Sequence, residues 1–203
     1  MAEKKLAEQY KDLLIASAQK QLLYIEKEMD MLDMTGEQIK DVINRRKSLE
    51  ESLDKYTNSD AEEILNTDIA SEKEKLIKMI EDLKVRKDDT PSRVKKQYKK
   101  EYEDLLARSD DEIALSLIES EKYFLEVGIE RGFKSTIYNL RVQSLFDSMN
   151  LNAAEQEALI SRLNPEKITS LTKEEFSNIE IDHLVDNVSG ENISTDNSDE
   201  MGD

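Results

Sequence analysis

In Leu22-Leu23-Tyr24-Ile25-Glu26-Lys27-Glu28-Met29-Asp30-Met31-Leu32, the residues Leu22, Ile25, Met29 and Leu32 are spaced by three, four and three. That is the heptad spacing of a helix that lays one narrow edge against a neighbour. Thr35-Gly36-Glu37-Gln38 follows with the layout of a capping box, Thr35 as N-cap and Gln38 at N3. A second stripe runs through Ile39, Val42, Ile43, Leu49, Leu53 and Tyr56. Residues 2–56 therefore read as two helices hinged near Gly36, or as one long helix with a defect there. The seam is too narrow for a helix at the centre of a globule, so it needs the other arm or another copy of the chain against it. Leu22, Ile25, Met29, Leu32, Ile39 and Ile43 are the residues expected to make that contact.

The rest of the chain follows the same style. Ser59-Asp60-Ala61-Glu62 fits another capping box, opening a helix that carries Ile64, Leu65, Ile69, Leu76, Ile77, Ile80 and Leu83. Thr90 as N-cap with Pro91 at N1 opens the next, which carries Val94, Tyr98, Tyr102, Leu105 and Leu106. Ser109-Asp110-Asp111-Glu112 caps the most apolar stretch, Asp110 to Met149. Its apolar residues lie on more than one face, which predicts the central helix of a small C-terminal bundle. Asn152 caps a short helix to Leu163, Asn164-Pro165 stops it, and Thr172–Glu175 caps a last one. No internal repeat of fixed period is visible.

Composition agrees. Five Gly and two Pro in 203 residues are roughly a third of ordinary usage. Sheet corners and tight turns consume those residues, so the fold class expected is all-α. The expected domains are a coiled-coil or helical-hairpin arm over 1–87, a helical bundle over 88–187, and an acidic tail over 188–203 that is disordered alone. No Cys means no disulfide framework, no Cys-ligated zinc and no Cys nucleophile. No apolar run approaches a bilayer span and no signal-peptide core is present, which predicts a soluble, cytoplasmic protein.

Charge is uneven. There are 29 basic and 46 acidic residues, for a net charge of −17. Ten of the acidic residues lie from Glu174 onward, where there is no Lys or Arg. Lys84 to Lys100 instead holds eight basic and two acidic residues, including Arg93, Lys95, Lys96, Lys99 and Lys100. The overall field disfavours direct nucleic-acid binding. The basic patch suits an acidic partner, or a solvated helix face.

Candidate chemistry is sparse. Glu180-Ile181-Asp182-His183 has the Glu-x-x-His spacing of four-helix di-iron sites, but the chain's single histidine cannot supply the second motif. Glu101 and Asp104, or Asp110 and Glu112, could hold magnesium with a phosphorylated substrate, as repeated Glu pairs do in all-α nucleotide pyrophosphohydrolases. The doubled-Glu motif and its second acidic pair are not found in order, and Asp110 and Glu112 suit a helix N-terminus. No Gly-rich phosphate loop or Gly-x-Ser-x-Gly is present, so no cofactor and no catalytic residue is expected. Gly128 and Gly132 sit one turn apart inside a helix, at a cost of roughly 1 kcal/mol each relative to Ala. A close-packing notch for another helix would offset that cost.

Lys122–Phe133 resembles the Tyr/Phe-rich Gly-x-x-x-Gly helix of small helical proteins from low-GC Gram-positive bacteria and their phages; the resemblance transfers no site residues. In size, acidity and lack of Cys and Trp, the chain is similar to viral scaffolding and virion-assembly proteins, though it ends in an acidic rather than a basic segment. The function expected is non-catalytic: a helical interaction or assembly protein that oligomerises or docks a protein partner, in the cytoplasm or, if phage-encoded, in a virion. The alternatives are an acidic regulator of a nucleic-acid-binding protein and a metal-dependent nucleotide hydrolase.

Overall fold

The computed structural model describes residues 2–85 and 92–185. The Thr90–Pro91 cap and the acidic tail from 188 lie outside the described residues. The chain is all-α: α1 (Ala2–Met31), α2 (Gly36–Asn58), α3 (Ala61–Val85), α4 (Ser92–Leu106), α5 (Asp110–Tyr123), a π-helical turn (Phe124–Gly128), α6 (Ile129–Met149), and the short α7 (Ala153–Ile160), α8 (Pro165–Ser170) and α9 (Lys173–Asn178). A 3-10 turn, Ile181–His183, follows.

Local chemistry explains the boundaries. Thr35, Ser109 and Thr172 each cap the helix that follows, with Gln38, Glu112 and Glu175 closing the box. Asn152 does the same for α7 with Glu155. Gly36 is therefore a helix start rather than a defect, and residues 2–58 form two helices. At the next boundary the expected cap is displaced by one residue. Ser59 ends α2, and Asp60 Oδ1 accepts from the backbone N–H of Glu62 and Glu63. Asn164, expected only to stop a helix, also starts one: its side chain accepts from Lys167 N–H, with Pro165 at the first position of α8. At the end of α6, Asn150 takes a φ of 53°, and Leu151 N–H donates back to Phe146 O. This is the left-handed helix stop that Asn tolerates better than most residues.

The chain divides into two compact units, Met1–Ser135 and Thr136–Asp203. The first has a core of Ala7, Tyr10 and Leu14 from α1, Ile64, Leu65 and Ile69 from α3, and Ile113, Ala114 and Ile118 from α5. The division thus falls later than the 87/88 boundary read from the sequence, because α5 supplies three side chains to the core built by α1 and α3. The Asp110–Met149 stretch is not one bundle-centre helix for the same reason. It stays helical through a π turn at Phe124–Gly128, and Leu115, Tyr123, Phe124 and Val127 are exposed. In the first unit α2 also packs along α1. Among the described residues, no helix is long and apolar enough to cross a membrane.

The second unit gathers Val142 and Phe146 of α6 with Leu163, Ile168, Leu184 and Val185. An isolated antiparallel bridge joins Leu163 to Val185, and Asn164 N–H donates to Leu184 O at 2.9 Å. Arg141 lies inside this unit with 2 % exposure. Its guanidinium donates to Ile168 O (2.5 Å), Leu171 O (3.0 Å) and Thr172 O (3.3 Å) and sits 4.7 Å from the centre of the Phe176 ring. The Ile168 and Leu171 carbonyls lie at the end of α8, where a helix leaves acceptors unpaired, and Thr172 O, the N-cap carbonyl of α9, also accepts from Phe176 N–H at 3.0 Å. Burial pushes the Arg141 guanidinium below its ordinary range.

Candidate interaction surface

The α1–α2 hairpin brings the sequence-predicted seam residues to two different places. Ile25 and Leu32 are buried, as is Val42 of α2. Met29, Ile39 and Ile43 are instead 42 %, 40 % and 55 % exposed, and Leu22 is half-buried. The stripe that closes the hairpin therefore runs through Ile25 and Glu28 on α1, Leu32 just past its end, and Val42 and Arg45 on α2.

Glu28 is buried and takes both hydrogen bonds of the Arg45 fork, at 2.6 and 3.2 Å. The Glu28 hydrogen bond holds the Arg45 guanidinium above its ordinary range. Asp41, one turn earlier, takes the Arg45 Nε–H at 3.0 Å. A second cross-helix pair joins Arg46 to Glu26 at 3.6 Å, and Arg46 also binds Glu50 at 2.9 Å.

These two pairs fix the register of an antiparallel hairpin. With Glu26 across from Arg46, and Glu28 across from Arg45, Met29 falls across from Ile43 and Leu22 across from Glu50. Helical spacing puts Leu22, Glu26 and Met29 on one edge of α1, and Ile39, Ile43, Arg46 and Glu50 on one edge of α2. The Glu26–Arg46 contact shows that both edges border the same face. That face has three large exposed apolar side chains toward the hairpin tip and a carboxylate–guanidinium row beside them.

The other predicted sites lie elsewhere. Of the basic patch on α4, Arg93, Lys96, Lys99 and Lys100 are exposed and Lys95 is half-buried. Lys99 pairs with Glu103 at 3.5 Å. α4 packs on α3, and none of its residues is fully buried. Gly128 and Gly132 do not form a notch filled by another helix. A Cβ at Gly128 would meet the Phe124 ring of its own helical turn at 2.7 Å, and one at Gly132 would have no neighbour within 4 Å outside its own helix backbone. The π turn accounts for part of this: it brings Phe124 over Gly128, while Lys20 of α1 donates to Leu125 O at 2.5 Å. Tyr24 of α1 packs on Phe133 with ring centres 4.8 Å apart.

Glu180 and His183 share a 3-10 turn, not the α-helix that a Glu-x-x-His ligand pair uses. Asp110 pairs with Lys73 of α3, and Glu112 closes the cap on Ser109. Hydrogen bonds from the Ser109 backbone and hydroxyl hold the Glu112 carboxyl below its usual range. Among the described residues, no three His, Asp or Glu side chains gather as a metal site would require. An open polar cleft at the α2–α3 turn includes Glu8, Asp12, Asp60 and Glu62. Lys11 spends its ammonium there on Thr57 O (3.1 Å) and Ser59 O (2.8 Å), which end α2. Tyr10, buried beneath α3, donates to Asp68 at 3.0 Å, and burial, with Asp68 second, raises its phenol strongly.

Comparisons with protein-family models, curated proteins and solved structures find no match for this chain.

Proposed function

We propose that this chain is a non-catalytic helical interaction and assembly protein that joins a protein partner, or another copy of itself, through its helices. The observation that carries this reading is the hairpin face with Met29, Ile39 and Ile43. Single exposed apolar residues are ordinary on any surface. Here three lie side by side on a face of two helices already closed by other residues, so their exposure is not needed to build the hairpin. Covering them would yield about 3 kcal/mol, taking half of the usual burial energy for each. In this reading the chain works in the cytoplasm, or in a virion if phage-encoded, as a structural or scaffolding-type factor.

The test is the native mass of the full chain by light scattering over a wide concentration range, run beside a magnesium-dependent nucleotide hydrolysis assay. A mass above one chain supports the reading. A monomer at every concentration, with hydrolysis that Glu101→Gln abolishes, overturns it in favour of an enzyme.

A further inference from the structure

We infer that the face bordered by Leu22, Glu26, Met29, Ile39, Ile43 and Arg46 pairs with the same face of a second copy, giving a two-fold, antiparallel four-helix bundle. The inference rests on the assembly reading and names its partner. Two features of the face select a copy over a partner of another kind.

The first is the self-complementarity of the face's two central rows. A two-fold axis parallel to the helices, in the plane between two such faces, lays α1 of one copy on α2 of the other and keeps every row opposite itself. Met29 then meets Ile43 of the second copy, and Arg46 meets Glu26 of the second copy. The Met29–Ile43 row covers itself and the Glu26–Arg46 row finds the opposite sign twice, while the outer rows set Leu22 against Glu50 and Ile39 against position 33 of the second copy. A basic partner would set like charge against Arg46, and an acidic one would do the same at Glu26. A second copy opposes each with its complement, as an isologous contact requires.

The second is area. The face is two helices wide, roughly 20 Å, and from Leu22 to the end of α1 at Met31 it spans roughly 14 Å of helix rise. Two such faces bury on the order of 800 Å² in total, below the range of stable specific interfaces and in that of weak, transient ones. The dimer is therefore weak and concentration-dependent. Each copy carries a net charge of −17, so long-range repulsion opposes pairing at low salt. Salt screens that repulsion and leaves the apolar row intact, so the dimer strengthens as salt is raised from low to moderate concentration. A complex held by net opposite charge would weaken over the same range.

The test is sedimentation equilibrium of the full chain at low and moderate salt, with three variants. Wild type is expected to dimerise, more tightly at moderate salt. Ile43→Glu is expected to weaken the dimer at least tenfold with helicity and melting temperature kept, since more than half of Ile43 is already exposed. Arg46→Glu and Glu26→Arg are each expected to dimerise less well alone and to form a heterodimer when mixed, because only the mixture restores opposite signs across the axis. If wild type associates and Ile43→Glu associates equally, or the mixed variants show no preference for each other, this inference falls while the assembly reading stands on another surface. If wild type stays monomeric at moderate salt and high concentration, this inference falls, and the assembly reading falls only if the hydrolysis assay is also positive.

Discussion

Arg141→Met tests whether one buried guanidinium holds the second unit together. In the native unit Arg141 supplies hydrogen bonds to three carbonyls at the junction of α8 and α9. A hydrogen bond to a charged group contributes about 1.5–3 kcal/mol, but burying the guanidinium costs several kcal/mol, so the net worth of the native arrangement is modest. Removal is not modest. Methionine fills much of the volume and leaves the carbonyls of Ile168 and Leu171 facing a side chain with no donor, while Thr172 O keeps the Phe176 N–H at 3.0 Å. At about 1–3 kcal/mol for the buried Ile168 acceptor and less for the partly exposed Leu171 one, the expected loss is about 2–4 kcal/mol. A unit this small has little stability to spare. Hydrogen exchange read by mass spectrometry on the full chain should therefore show peptides covering 163–185 losing protection while those of α1 and α3 keep theirs. Arg141→Lys, which retains charge but not the planar fork, should fall between the two. Unchanged protection over 163–185 in the Met variant would refute the argument and leave the apolar core as the sole support of that unit.

Three further outcomes are expected. Arg45→Met strands Glu28 inside the hairpin and should cost about 2–3 kcal/mol by urea unfolding, less than for a fully enclosed pair because Arg45 is 41 % exposed; adding Glu28→Met should recover most of that loss. Gly132→Ala should stabilise α6 by about 0.5–1 kcal/mol, since the new methyl meets open space, whereas Gly128→Ala should gain nothing because Phe124 must move; thermal melts of both variants check this. The carboxyls of Glu112 and Glu175 are both held below their usual range by their caps. A depressed folded value gives stability that is present above the unfolded value of about 4.3 and is lost as pH falls through the folded one. The Glu112→Gln, Glu175→Gln double variant keeps the cap geometry without the titration, so its unfolding midpoint should fall less steeply with acid than that of wild type.

What the sequence discloses here is what short-range chemistry decides. The boxes Thr35–Gln38, Ser109–Glu112 and Thr172–Glu175 are legible because donor and acceptor lie three residues apart, and scarce Gly and Pro leave helix as the default. Ser59 misleads because Asp60 beside it is an equally good cap with the better reach. Glu28 and Arg141 are not legible at all. A carboxylate three residues after Ile25 and a guanidinium beside Val142 look like solvent-facing residues until their partners on other segments are known. The seam is half legible for a related reason. The spacing of Leu22, Ile25, Met29 and Leu32 identifies an edge, but Glu28 belongs to the buried stripe too, and its burial turns Met29 outward.

That displacement links packing to function. An apolar stripe of Ile25, Leu32 and Val42 would by itself tolerate α2 sliding along α1. Glu28 would not, because a carboxylate with almost no solvent exposure needs a cation across from it. A slip of one heptad either way would put Gln38 or Ser52 where Arg45 stands, and a slip of four residues away from the tip would put Asp41 there. None of the three can neutralise it. The surface pair Glu26–Arg46 favours the same register. The ion pairs thus select one alignment of the hairpin, and that alignment, not the apolar spacing, leaves Met29 across from Ile43 on the outside. The exposed face of Met29, Ile39 and Ile43 is a consequence of where one buried charge finds its partner.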